Sequence, residues 1–225
     1  KPQMSKLEIV NENKDYIVVN KIAGLISEKS PYEDCTVEVQ VLKHLLKSKS
    51  KPYIGVIHRL DRVTSGVLVF AKKKRILIAF NNLFSKRKVE KTYLAIVKKK
   101  PLEDNDNLIN FLVKNNLEKR ADIVQYKSKE AHECILSYEI LDKNDIGYLL
   151  KIKPKTGRFH QIRAQLANIG LPIIGDEKYG SDQDYLPLSI CLHAWKLTYQ
   201  DDHSKSTITF KAPLPKNAFW KFKSI

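Results

Sequence analysis

The sequence is short of cysteine, glycine and long apolar runs, and each shortage removes a class of protein. Its three cysteines, Cys35, Cys134 and Cys191, are odd in number, far apart and never in C-x-x-C spacing. Neither a disulfide framework nor a zinc site is indicated, and a reducing cytoplasm is the expected compartment. Only 8 glycines occur, and they form neither G-x-x-x-x-G-K-[ST] nor G-x-G-x-x-G, which excludes the phosphate-cradling loops of nucleotide-cofactor enzymes. H-E-x-x-H and G-x-S-x-G are missing too, and His44, His58, His132, His160, His193 and His203 show no metal-ligand spacing. No apolar run approaches the roughly 18 residues of a membrane span, and Lys1 to Leu7 lacks the apolar core of a signal peptide. The expectation is a protein without cofactor, metal or membrane.

Acidic residues are scarce as well: 25 stand against 40 basic ones, a net charge of +15. With 43% hydrophobic residues the chain has the apolar content of a packed protein, so a disordered basic tail is ruled out. A globular protein with such an excess attracts polyanions, nucleic acid first among them. A solvated lysine-rich surface is the alternative, since lysines outnumber arginines 33 to 7. At roughly 100 to 200 residues per domain, the 225 residues read as one domain spanning 1–225.

Leu7 to Val10 and Tyr16 to Val19 are β-branched runs around a polar turn, a hairpin signal. Val37, Val41 and Leu45 give a helix with an apolar stripe, and Asp34 stands as an acceptor near its start. Val67 to Ala71 reads as a buried strand, Ile76 to Phe84 as a helix and Thr92 to Val97 as a strand. The Asn/Asp-rich stretch Pro101 to Asn116 reads as a long loop. Glu133 to Leu141 with Tyr148 to Lys153, and Leu192 to Tyr199 with Thr207 to Phe210, are two more hairpins. Strand pairs interleaved with helices, rather than regular βαβ alternation, predict an α+β protein on a mixed, largely antiparallel central sheet with flanking helices. Basic runs lie at 72–75, 86–88 and 98–100.

Two constellations stand out. His58-Arg59-Leu60-Asp61-Arg62-Val63-Thr64-Ser65-Gly66 places a histidine, two arginines, a carboxylate and two hydroxyls between apolar strands, a costly turn unless its polar groups are satisfied. In Gly157 to Gly170, Phe159, Ile162, Leu166 and Ile169 recur at helical spacing as a buried stripe, with His160, Arg163 and Ala167 beside it. An ordinary amphipathic helix with a basic face is the plain reading. The turn that follows, Pro172 to Gly180, is rigid with no stability reason visible in the sequence.

These segments resemble the RluA-type pseudouridine synthases, enzymes that isomerise uridine in ribosomal or transfer RNA. His58 to Gly66 is similar to the family's H-R-L-D-x-x-T-S-G signature and Lys91 to Val97 to its K-x-Y-x-A-x-V strand. Gly157 to Leu166 resembles G-R-x-H-Q-I-R-x-H, and Pro172 to Gly180 resembles P-I-x-G-D-x-x-Y-G. Leu192-His193-Ala194 and Phe210-Lys211-Ala212-Pro213 are similar to two closing motifs. The motifs run in order from about Val19 to Phe219. Phe159 stands where the family usually has Thr or Ser, and Gln165 where it usually has His; both departures bear on substrate fit.

The resemblance implies the pseudouridine synthase catalytic fold and a cofactor-independent isomerase acting on ribosomal or transfer RNA as a cytoplasmic monomer. Many relatives carry a small basic RNA-binding module ahead of the catalytic domain, and with so few residues before the first strand this chain is expected to lack it. Asp61 is the implied catalytic carboxylate, as nucleophile or as base. Arg163 is its implied counter-charge, and Tyr93 the ring that packs on the base. Arg59 is expected to fill the gap left by an extruded nucleotide; Arg62, Arg158, His160 and Gln161 complete the RNA-facing set. His58 is counted with them, and a satisfied structural histidine is its alternative. A non-catalytic RNA-binding or ribosome-assembly protein on the same fold is the rival reading, disfavoured because both Asp61 and Arg163 are present. A phosphatase-like aspartate enzyme would want a second carboxylate nearby, and positions 62 and 63 are Arg and Val.

Overall fold

The structure, a computed structural model, describes residues 6–202 and 204–225; Lys1 to Ser5 and His203 lie outside the described residues. The chain packs as two compact units, one formed by Lys1–Glu90 with Ala194–Leu214 and the other by Lys91–His193 with Pro215–Ile225.

In the first unit, β1 (Ile9–Glu12) and β2 (Tyr16–Lys21) form the expected antiparallel hairpin. Asn13 closes the turn, its side-chain oxygen accepting from the amides of Asp15 and Tyr16 at 2.8 and 2.9 Å, the local bonding that suits Asn to turns. Next to β2 lies β4 (Ser65–Ala71), buried along its whole length, and the short β3 (Gly55–Val56) pairs with its end. Beyond β4 comes β10 (Leu192–Gln200), part of this unit from Ala194 onward, with β11 (Thr207–Lys211) antiparallel to it.

Helix α1 (Val37–Leu45) buries Val37, Val41 and Leu45 as their spacing predicts. Its cap is Thr36 rather than Asp34: the threonine hydroxyl accepts from the Val39 amide at 3.3 Å. Helix α2 (Lys74–Ser85) buries Phe80 among Val18, Val67, Val69, Leu197, Tyr199 and Phe210. There Phe80 meets Tyr199 edge-on at 5.0 Å, a favoured aromatic geometry. The basic run at 72–75 is partly neutralised in this unit, since Lys72 pairs with Glu12, and both Lys73 and Arg75 with Asp15.

The second unit is an antiparallel sheet in the order β5 (Val89–Val97, in this unit from Lys91), β9 (Tyr148–Pro154), β8 (His132–Lys143), β6 (Asn105–Asn115) and β7 (Arg120–Val124). Strand β6 corrects the loop expected over Pro101 to Asn116. Its Asn and Asp residues are poor strand formers. However, it is flanked by β7 and β8, which satisfy its backbone on both edges, while Leu108 and Leu112 are buried. Tertiary pairing overrides local preference here. The β8–β9 turn is the one expected, with the Asn144 side-chain oxygen accepting from the amides of Ile146 and Gly147.

The whole is an α+β protein with largely antiparallel strand pairing, as the hairpin signals predict. Among the described residues no helix is long and apolar enough to cross a membrane.

Gly66 marks a tight spot. Its φ is +121°, and a Cβ there would stand 2.2 Å from the Ala194 carbonyl oxygen, so both the backbone and the approach of β4 to β10 demand glycine. Gly66→Ala should destabilise the protein by about 3 kcal/mol, combining backbone strain and a steric clash. Urea denaturation checks this; a loss below about 1 kcal/mol would show that the strand spacing yields easily.

Candidate active site

The Asp61 turn belongs to the first unit and is pinned on both sides of the carboxylate. Ahead of it, the Ser27 hydroxyl accepts from the Leu60 amide and donates to the Leu60 carbonyl, at 3.0 and 2.9 Å. Behind it, the Thr64 amide donates to the Asp61 carbonyl at 3.0 Å and the Gly24 amide to the Arg62 carbonyl at 2.8 Å. The strongest tether is Lys21, at the end of β2. It is only 1% exposed, and its ammonium donates to the carbonyls of Ile22, Arg62 and Thr64 at 3.0, 3.0 and 2.7 Å. Burial pulls the Lys21 pKa down to about 7, while attraction to Asp61 works the other way. Asp61 itself is half-buried.

The residues around Asp61 divide. The His58 Nε2 accepts from the Val69 amide at 3.1 Å, and its ring stacks on Phe84. Arg59, its side chain 69% exposed, reaches Glu28 at 2.7 Å. Arg62 is half-exposed and bonds Glu33.

In the second unit, helix α3 (Gln161–Asn168) begins later than its apolar spacing predicts. His160 adopts a left-handed conformation with φ +52°, which breaks the helical phase between Phe159 and Ile162. The expected stripe is therefore corrected. Ile162 and Leu166 are buried, whereas Phe159 and Ile169 are exposed.

Inside the helix's first turn, Arg163 is 5% exposed and grips Asp176, itself 1% exposed, through Nε at 2.7 Å and Nη2 at 2.9 Å. Nη1 lies 2.9 Å from the His160 Nε2. A guanidinium only donates, so Nε2 is the unprotonated nitrogen and Nδ1 carries the hydrogen, donating to the Tyr179 hydroxyl at 2.9 Å. Burial, together with the Arg163 charge, pushes the His160 pKa down to about 3, so the ring is neutral near pH 7. Tyr179 also accepts from the Ala121 amide at 2.7 Å, and the Arg163 guanidinium lies 5.0 Å from its ring centre. These contacts supply the stability reason for the Pro172–Gly180 turn that the sequence did not show.

Gln161 is buried. Its carbonyl oxygen accepts from the Thr156 hydroxyl and the Arg158 amide, and its nitrogen donates to the Ile135 carbonyl. Gln165, fully buried, donates to Leu108, Asn110 and Cys134, so it ties α3 to β6 and β8. Arg158 is exposed, its Nε 3.3 Å from the Glu133 carbonyl. Tyr93 stands half-buried on β5, opposite Ile152. Lys91, two residues earlier, has its pKa lowered by burial, and Gly157 leaves room for its ammonium.

The structure thus gathers His58, Arg59, Asp61 and Arg62 in the first unit, and Tyr93, Arg158, His160, Gln161 and Arg163 in the second. Sequence reasoning missed Lys21 and the role of Asp176. A lysine closing an apolar strand, and an aspartate in a turn beginning at a proline, were the only signals available.

A family model described as RNA pseudouridylate synthase matches residues 15–168. The chain is 31% identical to the tRNA pseudouridine synthase C of Vibrio parahaemolyticus, over 93% of this chain and 91% of that protein. It is 32% identical to the ribosomal large subunit pseudouridine synthase C of Rickettsia bellii, over 92% of this chain and 68% of the relative. The fold is shared with human RNA pseudouridylate synthase domain containing 1, with a TM-score of 0.79 and 24% identity, covering 100% of this chain and 92% of that one. The chain belongs to the RluA-type RNA pseudouridine synthases, and it is an RNA uridine isomerase by family.

The Arg163–Asp176 pair makes a stability prediction. Arg163→Met and Asp176→Asn should each lose roughly 3 to 5 kcal/mol, because each strands a buried charge or its donors. The double variant should lose about 1 to 3 kcal/mol less than the sum of the two. Urea unfolding of the four proteins gives the coupling, and strictly additive losses would deny the pair its structural role.

Proposed function

We propose that the chain modifies transfer RNA, with Asp61 as the reacting carboxylate and Tyr93 and Arg163 as the other catalytic residues. What carries the assignment of Asp61 is its turn: a carboxylate in the middle of the family signature, its backbone fixed on both sides by Ser27, Gly24 and Lys21. Such preorganisation is what a reacting group needs and what a surface aspartate lacks. Transfer RNA is favoured because the relatives named for it match this chain over nearly the whole of both lengths. The Rickettsia relative makes ribosomal RNA the second substrate to test.

The isomerisation breaks the bond from sugar C1′ to uracil N1, turns the base within the site and forms the bond from C1′ to C5. N1 gains a proton and C5 loses one, so the change is redox-neutral. An ionised carboxylate serves it either by attacking C1′ or by removing a sugar proton. Before that, the target nucleotide has to leave its stack, at a cost of a few kcal/mol. Arg59 and Arg62 are suited to offset it. The Arg59–Glu28 bond is an exposed pair of the kind worth at most about 1 kcal/mol and the Arg62–Glu33 bond is half-exposed, so RNA phosphates can replace those partners. Arg158 offers another exposed guanidinium. His58, His160 and Gln161 support the reading through position: they bond internally and fix the backbone from which the exposed cations project. The reading keeps one catalytic domain over the chain, supported by a family match that runs through residues of both units. It also keeps a cytoplasmic monomer.

Asp61→Asn should lower pseudouridine formation on unmodified transfer RNA transcripts by on the order of a thousandfold or more, while RNA affinity and melting temperature change little. Carbodiimide labelling with primer extension scores the product, and a 23S ribosomal RNA fragment serves as the second substrate. Turnover within about tenfold of wild type would remove Asp61 from the reaction.

A further inference from the structure

Phe159 belongs to the Gly157–Gly170 motif, yet neither the core nor the catalytic assignment uses it. It is 39% exposed, because the left-handed His160 turns it away from the buried side of α3. A single exposed aromatic ring is unremarkable on most surfaces. Here two further observations bear on it.

The first is its backing. The ring stacks on the His160 imidazole with centroids 3.8 Å apart and planes 17° apart. That imidazole is immobilised by Tyr179 and by Arg163, itself clamped to Asp176. The platform is therefore rigid before any ligand arrives, which reduces the ordering penalty of binding.

The second is its charge. Lys114, exposed on β6, places its ammonium 5.1 Å from the ring centre. Arg158 is the neighbour in sequence and is exposed too.

We propose that Phe159 is a stacking platform for an unpaired base of the RNA substrate, with Lys114 and Arg158 taking the flanking phosphates. Magnitudes favour the exchange. An exposed cation–π contact is worth about two- to fivefold in affinity, whereas a base stacked on an aromatic side chain is worth roughly five- to 150-fold. A base can therefore displace the flexible lysine, which moves to a phosphate. The platform contributes affinity for single-stranded RNA. It rests on the RNA-isomerase reading, since it needs RNA as the partner.

The probe is a fluorescein-labelled single-stranded uridine 12-mer, with affinity measured across a salt series. Phe159→Leu keeps apolar cover over His160 but removes the π face, so affinity should fall by about tenfold. Phe159→Trp should stay within about threefold of wild type. The slope of log Kd against log salt should be unchanged in both, because no charge is lost, whereas Lys114→Gln should reduce it by about one counterion. A loss in Phe159→Leu of less than about twofold, or one that Trp does not restore, overturns the proposal.

A measurement on the wild-type protein guards against a variant that fails to fold. Photocross-linking to a 5-bromouridine 12-mer should leave nucleotide mass on the tryptic peptide running from Phe159 to Arg163. Cross-links confined to other peptides overturn the proposal. Pseudouridine formation on transfer RNA is scored separately: an active enzyme whose Phe159→Leu variant binds normally loses only the platform. A protein that forms no pseudouridine loses the isomerase reading itself.

Discussion

A cation removed from water has to be compensated where it sits, and both signature motifs of this protein are built around that requirement. In the first unit the cation is Lys21, 1% exposed; in the second it is Arg163, 5% exposed. Leaving either charge without partners would cost several kcal/mol, a large fraction of the ~5–15 kcal/mol that holds a domain folded. The chain around each one is therefore obliged to bring acceptors to it, and the segments so recruited are the ones carrying the family motifs.

The two solutions differ because the two cations differ. An ammonium presents three donors from a compact point. Lys21 uses them to gather the carbonyls of Ile22, Arg62 and Thr64, which sets the path of the backbone on the far side of Asp61. A guanidinium presents a planar fork and suits a carboxylate held bidentately. Arg163 accordingly fixes Asp176, and with it the Pro172–Gly180 turn, while its remaining edge selects the tautomer of His160. The protonation behaviour follows: burial draws the Lys21 pKa down to about 7, against the attraction of Asp61. His160, facing a permanent cation in a buried place, stays neutral. Rigidity of the Asp61 turn and rigidity of the Phe159–His160 stack thus come from the same physical demand.

Much of this was legible in the sequence, and the failures have physical causes. The β1–β2 hairpin, α1, the buried β4 and the β8–β9 and β10–β11 pairs announced themselves by alternation, spacing and turn residues. Strand β6 did not, because its Asn and Asp side chains gave no apolar pattern and its formation depends on neighbours remote in sequence. The helix stripe failed at Phe159 for one residue's conformation, since a left-handed His160 shifts the phase and periodicity assumes an unbroken helix, and at Ile169 because the helix ends there. Asp61 and Arg163 were singled out as candidates through family resemblance. Asp176 and Lys21 escaped because the need for a partner appears only once burial is known. Gln165, noted as a departure bearing on substrate fit, lies on the buried side of α3 as a donor to three oxygens.

The claim that a buried cation shapes each motif is tested most directly at Lys21, by native-state hydrogen exchange of Lys21→Met against wild type. Methionine fills the same space without donating, so the Thr64 carbonyl loses the ammonium and the Arg62 carbonyl keeps only the Gly24 amide. The account predicts that the amides of Gly24 and Thr64, bonded to the Arg62 and Asp61 carbonyls, lose protection by about tenfold or more. Amides in the interior of β4 and α1 should exchange as in wild type. Unchanged exchange at Gly24 and Thr64, or an equal loss at every amide of the unit, would contradict it and leave Lys21 as one more core residue.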